Sequence, residues 1–71
     1  MSVRIKIDGS RMAELRDTRF LDRKDLAEAV GVSHHTILRI ETGRTLYPHR
    51  STIRAIALIL DVSPDDLVAR T

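Results

Sequence analysis

The sequence predicts a small all-α domain of five short helices. Three observations lead to this prediction. From Ser10 onward apolar residues recur at helical spacing, residues typical of helix starts and stops separate the apolar stripes, and two of the helices are joined by residues 31–33 alone. The chain has 71 residues and no cysteine. It is therefore expected to form one domain that depends on efficient helix packing for its stability, without disulfides.

The first two helices are predicted from an apolar stripe and a capping residue. Met12 and Leu15 lie three residues apart within residues 10–18, which predicts the first helix. Asp22 is placed to cap the second helix, with Asp25 three residues later in nearly the pattern of a capping box. The inward face of the second helix is formed by Leu26, Ala27 and Val30.

Glycine and serine mark the boundaries of the third helix. Gly31 ends the second helix, because glycine adopts left-handed backbone angles readily. Ser33 then caps a third helix predicted over residues 34–42, and Gly43 follows it. The inward residues of this helix are Ile37 and Ile40.

A loop over residues 44–50 precedes the fourth helix, which is predicted to start at Ser51 or Thr52. The apolar stripe of this helix consists of Ile53, Ile56, Ala57 and Leu60. Residues 63–66 then combine a capping serine, a proline at the first helical position and two carboxylates near the positive end of the helix dipole. They predict a fifth short helix that runs to the C-terminus.

The N-terminal residues 1–8 have a different pattern, in which Val3, Ile5 and Ile7 alternate with polar residues. This period of two is typical of a strand. A single strand has no partner in an all-helical domain, so residues 1–8 are interpreted as an arm or strand that precedes the domain at residues 9–71. The segment is either a frayed arm or a strand that pairs with another one, most simply its copy in a second chain.

Positive charge is concentrated in the middle of the chain. Residues 34–54 contain four arginines and all three histidines against one acid, Glu41, whereas residues 55–71 contain three aspartates and one arginine. The overall formal charge of +2 therefore conceals a basic middle and an acidic end. This asymmetry favours a polyanionic partner on one face of the domain.

The sequence argues against several other classes of protein. The longest apolar run covers residues 55–60, whereas a membrane span needs about 20 residues, and no export leader is seen. The histidines His34, His35 and His49 do not form a metal site, because adjacent helical histidines point about 100° apart. Without cysteine, a Gly-rich phosphate loop or an acid–base pair, no enzymatic activity, metal or cofactor is expected, and the chain is placed in the cytoplasm.

Residues 23–42 are the most informative part of the chain. The connection at residues 31–33 is too short for an antiparallel hairpin, so the two helices have to cross steeply, as in a helix-turn-helix. Ala27 is small where the helices approach each other, and Gly31 permits the sharp turn. The apolar positions that hold both helices to the core are Leu26, Val30, Val32, Ile37 and Ile40.

The sequence LAEAVGVSHHTILRIETG at residues 26–43 resembles the central motif of the phage-repressor and Cro-type, or lambda-repressor-like, helix-turn-helix family. Residues 53–67 are similar to the last two helices of that family, and the resemblance covers about residues 9–69. It implies a compact five-helix domain that reads operator DNA, usually as a two-fold dimer.

Three residues depart from the family pattern. Phe20 and Asp61 stand where glycine is common, and Leu38 stands where a small polar residue is commoner. Phe20 and Asp61 are therefore expected in left-handed backbone conformations, which are tolerable for aspartate but costly for phenylalanine. Leu38 makes the reading face more apolar.

The outward face of the third helix is the predicted base-reading surface, because its N-terminal end would enter the major groove. Arg39 can form two hydrogen bonds to guanine, although a surface salt bridge with Glu41 or Glu28 is the alternative. Leu38 either covers a thymine methyl group or is partly buried against the following loop. The predicted base-reading residues are Ser33, His34, His35, Thr36, Leu38 and Arg39.

Contacts to the DNA backbone are predicted at two other places. Arg23 opens the second helix, where backbone N–H groups favour an anion, and the loop after the third helix lies along the sugar–phosphate backbone in the family. The predicted backbone-contacting residues are Arg23, Thr42, Arg44, Thr45, Tyr47, His49 and Arg50.

These patterns predict a regulator of transcription, most simply a repressor, that binds double-stranded operator DNA near the nucleoid of a bacterial or phage-infected cell. A homodimer is expected, through Leu58, Ile59 and Val68, with the N-terminal segment as the rival contact. The alternative is a protein-binding module of the antitoxin or adaptor type. A module of that type would have an apolar reading face, whereas polar residues outnumber Leu38 there.

Overall fold

The computed structural model describes residues 5–69, which form four α-helices and one short 3₁₀ helix. The helices are α1 (Gly9–Thr18), α2 (Arg23–Val30), α3 (His34–Glu41), α4 (Arg50–Leu60) and the 3₁₀ helix (Pro64–Leu67). The all-α fold class is confirmed. Across the described range, no helix has the length and apolar character needed to cross a membrane.

The predicted helix caps are present in the structure. The Asp22 carboxylate accepts a hydrogen bond from the Asp25 N–H at 2.7 Å, and the Asp25 carboxylate accepts one from the Asp22 N–H at 3.4 Å. Ser33 Oγ accepts from the Thr36 N–H at 3.2 Å and caps α3. Gly31 has φ 86°, so the chain turns sharply between α2 and α3 as the sequence indicates.

Three helix boundaries differ from the prediction. α1 starts at Gly9, one residue early, because the Asp8 side chain caps it. α4 starts at Arg50 instead of Ser51 or Thr52, and His49 occupies the N-cap position with no hydrogen bond from its side chain to the helix. α3 is one residue shorter than predicted, since Thr42 is its C-cap. Boundaries set by the main chain alone, as at His49, have no side-chain signature in the sequence.

The predicted fifth α-helix is a 3₁₀ turn of four residues. Its start was predicted correctly, with Ser63 as the N-cap and Pro64 at N1. The prediction that it runs to the C-terminus is wrong, because Leu67 is buried in the core and Val68 turns into an extended conformation at φ −75° and ψ 132°. The burial of Leu67 ends the turn and directs the chain towards the N-terminal segment.

Residues 5–8 are bound within the domain by main-chain hydrogen bonds on both sides. Ile7 is 4% exposed; its N–H donates to the Leu46 carbonyl at 3.0 Å, and it forms an antiparallel bridge with Val68. On the other side, the Ala69 N–H donates to the Lys6 carbonyl at 2.9 Å. The expectation of a frayed arm is therefore wrong for residues 5–8. The alternative, that the segment pairs, holds at Ile7, but the partner is Val68 of the same chain and not a second copy. The remainder of that segment, including Val3, lies outside the described residues.

The apolar stripes of the helices meet in one core, and every predicted inward residue of α3 and α4 is buried there. Val30 and Val32, which were expected to hold the helix-turn-helix to this core, are only half-buried at its edge. The buried core residues are Ile7, Met12, Leu26, Ala27, Ile37, Ile40, Ile53, Ile56, Ala57, Leu60 and Leu67. Burial of this inner face leaves the opposite face of α3 accessible.

The N-terminus of α1 packs directly on the C-terminus of α3. A Cβ atom added to Gly9 would clash with the Ile40 carbonyl oxygen and lie 2.6 Å from the Glu41 carbonyl oxygen. Both contacts are to backbone, which cannot rotate away. Glycine is required here by the close approach of two helices.

We predict that Gly9→Ala destabilises the fold by about 1–3 kcal/mol, because the backbone of α3 has to shift to admit the methyl group. Urea unfolding followed by circular dichroism measures this effect. Ser10→Ala is the matched control, since Ser10 is exposed in the same helical turn and should unfold like the parent. An unchanged midpoint in Gly9→Ala would show that α1 and α3 are less closely packed than described.

The two predicted left-handed residues are confirmed. Phe20 has φ 58° and Asp61 has φ 56°. Phe20 is 95% exposed, so its ring gains little from burial while its backbone is strained. The turn between α1 and α2 thus contains an avoidable energetic cost.

We predict that Phe20→Gly stabilises the protein by about 0.5–1 kcal/mol, because the relief of left-handed strain exceeds the larger chain entropy of glycine. Thermal unfolding measures the difference. Phe20→Ala is the control, since it removes the ring but keeps the Cβ atom and so retains the strain. Equal stability of the glycine and alanine variants would contradict the explanation.

Candidate nucleic-acid interface

The outward face of α3 presents three polar side chains to solvent. His34, His35 and Arg39 are all exposed, whereas Ile37 and Ile40 on the opposite face are buried. The rings of His34 and His35 lie 5.4 Å apart between centroids, at an angle of 57°. The structure therefore brings these three predicted base-reading residues to one accessible surface.

The hydroxyl groups at the ends of α3 bond within the chain. Ser33 Oγ lies 3.0 Å from Thr36 Oγ1 while capping the helix, and Thr42 Oγ1 donates to the Leu38 carbonyl at 2.8 Å. Leu38 itself is half-buried. These four side chains therefore shape the ends and rim of the surface, and the freely projecting groups are the histidines and Arg39.

The Arg39 carbonyl group binds the loop after α3 to the helix. The Arg39 carbonyl accepts the N–H groups of Arg44 at 2.8 Å and Thr45 at 3.0 Å, and Gly43 permits this turn with φ 81°. The predicted backbone-contacting residues of this region are therefore adjacent to the reading helix. Of these residues, Arg44, Tyr47, His49 and Arg50 are exposed and Thr45 is half-buried.

Glu41 is a buried carboxylate that joins three helices. Arg16 of α1 donates to it from Nε at 2.8 Å and from Nη2 at 3.2 Å, and Arg23 of α2 donates from Nε at 2.9 Å. The Glu41 side chain is 1% exposed, against 11% for Arg16 and 39% for Arg23. Arg16 also donates to the Leu21 carbonyl at 2.6 Å, so the turn before α2 is part of the same cluster.

This cluster determines the charge of the surface above it. The hydrogen bond to Glu41 raises the pKa of Arg16 above its ordinary value, so Arg16 remains cationic. Arg16 and Arg23 thus compensate the charge of Glu41, the one acid of residues 34–54. The positive charges of α3 and of the loop after it are therefore not cancelled by Glu41. Within residues 5–69, Arg39 forms a salt bridge with neither Glu41 nor Glu28, which was the alternative to base contact.

Sequence reasoning missed the burial of Glu41, although a signal was available. Glu41 lies four residues after Ile37, which places it on the inward side of α3. A buried acid requires cationic partners, but no periodic pattern shows that α1 and α2 would supply them. Only the packing of the three helices brings Arg16 and Arg23 to it.

An open cavity of about 360 Å³ lies where α2 begins, and its polar lining is mostly cationic. It is lined by Arg16, Asp22, Arg23, Lys24 and His34. The hydrogen bond that the Asp25 N–H donates to the Asp22 carboxylate lowers the pKa of Asp22 below its ordinary value. The carboxylate that caps α2 therefore remains anionic. The guanidinium and ammonium groups beside it form a setting suited to a phosphate oxygen.

The residues proposed for dimerisation differ in accessibility. Leu58 is 79% exposed and Ile59 is 36% exposed, whereas Val68 is half-buried and bridged to Ile7.

The described residues contain no group of three or more His, Cys, Asp or Glu side chains arranged to hold a metal ion.

Two short helices crossing at a three-residue turn, with the outward face of the second accessible, form a helix-turn-helix. The family model of a helix-turn-helix domain matches residues 9–70. This chain belongs to the lambda-repressor-like helix-turn-helix family. The family resemblance of residues 26–43 is thereby confirmed.

Three comparisons support this membership. The chain is 38% identical over 61 residues to the uncharacterized HTH-type transcriptional regulator RghRB of Bacillus subtilis, a match that covers 86% of this chain and 44% of that protein. The chain thus spans less than half the length of this relative. Its fold is similar to that of the restriction-modification controller protein C.AhdI from Aeromonas hydrophila, with a TM-score of 0.77, 28% identity and coverage of 82% and 86% of the two chains. It is also similar to the P22 c2 repressor solved with a synthetic operator, with a TM-score of 0.76, 30% identity and coverage of 80% and 85%.

We predict that Glu41→Gln destabilises the domain by about 3 kcal/mol, because two arginines would lose the charge that compensates them in a buried site. Urea unfolding measures the loss. Glu14→Gln is the control, since Glu14 makes only an exposed pair with Arg11 at 3.8 Å and should change stability by less than about 0.5 kcal/mol. Equal effects of the two substitutions would mean that the Glu41 cluster does not hold the three helices together.

Proposed function

We propose that this protein is a sequence-specific double-stranded DNA-binding regulator of transcription, most simply a repressor. The observation that carries the proposal is the exposed polar face of α3 beside a loop of cations, with Glu41, the one acid of residues 34–54, paired internally. The similarity to the P22 c2 repressor, which was solved with a synthetic operator, supports the same activity. The Bacillus subtilis relative RghRB, named as an HTH-type transcriptional regulator, agrees with it.

Base reading is assigned to the side chains that project freely from α3. Arg39 would form two hydrogen bonds with O6 and N7 of a guanine, and His35 would bond N7 of a purine. His34 lies in the first turn, at the end that enters the groove. Leu38 would contact a thymine methyl group with the part of its side chain that remains accessible.

Phosphate contacts are assigned to groups on either side of α3. The cavity that contains Arg23 and Lys24 lies at the start of α2 and would hold one phosphate. Arg44 and Arg50 on the following loop and helix would contact the backbone at the other end. These contacts position α3 in the groove without selecting the sequence.

The second candidate function is a protein-binding module of the antitoxin or adaptor type. An interface of that kind has an apolar centre, but Leu38 is the one apolar contributor to the outward face of α3 and is half-buried. A gel shift after enrichment from random-sequence DNA decides between the two functions. Recovery of a preferred site supports DNA reading, and binding without any preferred site would contradict it.

We further propose that the protein acts as a homodimer on DNA, in the cytoplasm and close to the nucleoid. Two copies would bind half-sites about one helical turn apart, as two-fold symmetry requires. Leu58 and Ile59 remain the exposed apolar candidates for the interface. The rival contact, at residues 5–8, is occupied within the chain, so deletion of residues 1–7 would remove the buried Ile7 and report on folding instead of assembly.

We predict that Arg39→Ala and Arg44→Ala have different effects on DNA binding. Arg39→Ala should cost about 1–3 kcal/mol on the best site and weaken the preference at one base position, because a pair of hydrogen bonds to guanine is lost. Arg44→Ala should weaken binding to all sequences alike and reduce the salt slope by about one unit, because one phosphate contact is lost.

Fluorescence anisotropy with the selected site and with random DNA, at several salt concentrations, measures both effects. Arg11→Ala is the matched control, because Arg11 is an exposed arginine of α1 that belongs to neither group. If both variants lose affinity equally on specific and random DNA, the division into base-reading and backbone-contacting residues is wrong.

A further inference from the structure

The outer face of α4 and its C-cap carry one basic, one apolar and one acidic residue in a row. Arg54 and Leu58 lie four residues apart on one stripe of the helix, and Asp61, the C-cap, follows Leu58 by three residues. All three are exposed, with Leu58 79% accessible and the Asp61 side chain 90% accessible. The buried stripe of α4 contains none of them, so they are not needed for the core.

Two antiparallel copies of this row of residues are complementary in charge. By the rise of 1.5 Å per residue, Arg54 lies about 6 Å before Leu58, and Asp61 lies about 4.5 Å after it. When two copies of α4 pack antiparallel about a two-fold axis at Leu58, each Arg54 meets the Asp61 of the other copy and the leucines meet each other. A parallel arrangement would instead place like charges side by side.

An open groove adjoins the stripe. This groove of about 470 Å³ runs beside Leu58, and Ala55, Val62 and Pro64 are among its lining residues. The Asp61 carboxylate pairs within the chain only with Arg19, at 3.8 Å and with both side chains largely exposed. Such a pair is weak, so it does not prevent Asp61 from contacting a second chain.

We propose that a second copy of this chain docks on the stripe formed by Arg54, Leu58 and Asp61, in a two-fold antiparallel arrangement. The two leucines pack against each other at the axis, and two reciprocal Arg54–Asp61 pairs determine the orientation. This inference rests on the proposed two-fold binding of DNA, for which it names the contact surface. The proposed contact does not use Val68, which is half-buried and bridged to Ile7.

Sedimentation of the free protein at concentrations up to the millimolar range tests the proposal without DNA. The parent should form a dimer, and Leu58→Glu should abolish it. Arg54→Asp should weaken dimerisation roughly tenfold or more, because two like-charge contacts replace two attractive ones. Arg54→Asp combined with Asp61→Lys should recover most of the loss, since the reversed charges again face each other.

Two controls separate assembly from folding and from DNA binding. Arg11→Asp makes the same change in net charge on α1 and should leave dimerisation unchanged, and thermal unfolding shows whether each variant is folded. A monomeric parent at millimolar concentration, or a double variant that dimerises no better than Arg54→Asp, would overturn the inference. The affinity of the parent for DNA that contains one half-site is measured separately. If the parent does not bind this DNA, the proposed function is contradicted, whereas the result on dimerisation is unaffected.

Discussion

The buried carboxylate of Glu41 is the constraint on which the proposed DNA-facing side of this molecule depends. It accepts hydrogen bonds from Arg16 on α1 and Arg23 on α2, while it belongs to α3 itself. A buried ion pair is often no more stabilising than a well-packed apolar substitute, so its value is not a large net energy. Its value is geometrical, because directed charged hydrogen bonds hold three helices in one relative orientation.

The same cluster connects fold to function. An uncompensated glutamate at the end of α3 would repel the phosphate backbone at the place where α3 is proposed to approach DNA. Pairing it with Arg16 and Arg23 neutralises its charge, although Arg16 also pairs with the exposed Asp17 at 3.2 Å. Arg23, being partly exposed, also reaches the cavity at the start of α2, so one group serves both the packing and the proposed phosphate site.

The two ends of the described chain pack against each other, which decides which surfaces stay open to a second chain. Residues 5–8 lie between the loop at Leu46 and the segment after the 3₁₀ helix, with main-chain bonds to both. The edge that could have paired with a second chain is therefore occupied. Of the surfaces considered for self-association, the outer face of α4 is the one that remains exposed, with Leu58 at its centre.

The sequence by itself determined the features that depend on local periodicity and local capping. It predicted the helix-turn-helix, the buried stripes of α3 and α4, and the caps at Asp22 and Ser33, because each depends on residues a few positions apart. The left-handed residues Phe20 and Asp61 were expected from the family resemblance. Tertiary structure alone decided the burial of Glu41, the short 3₁₀ turn before Val68 and the pairing of Ile7. Each of these depends on groups far apart in the chain, whose partners are chosen by how the helices pack, and no local pattern records that choice.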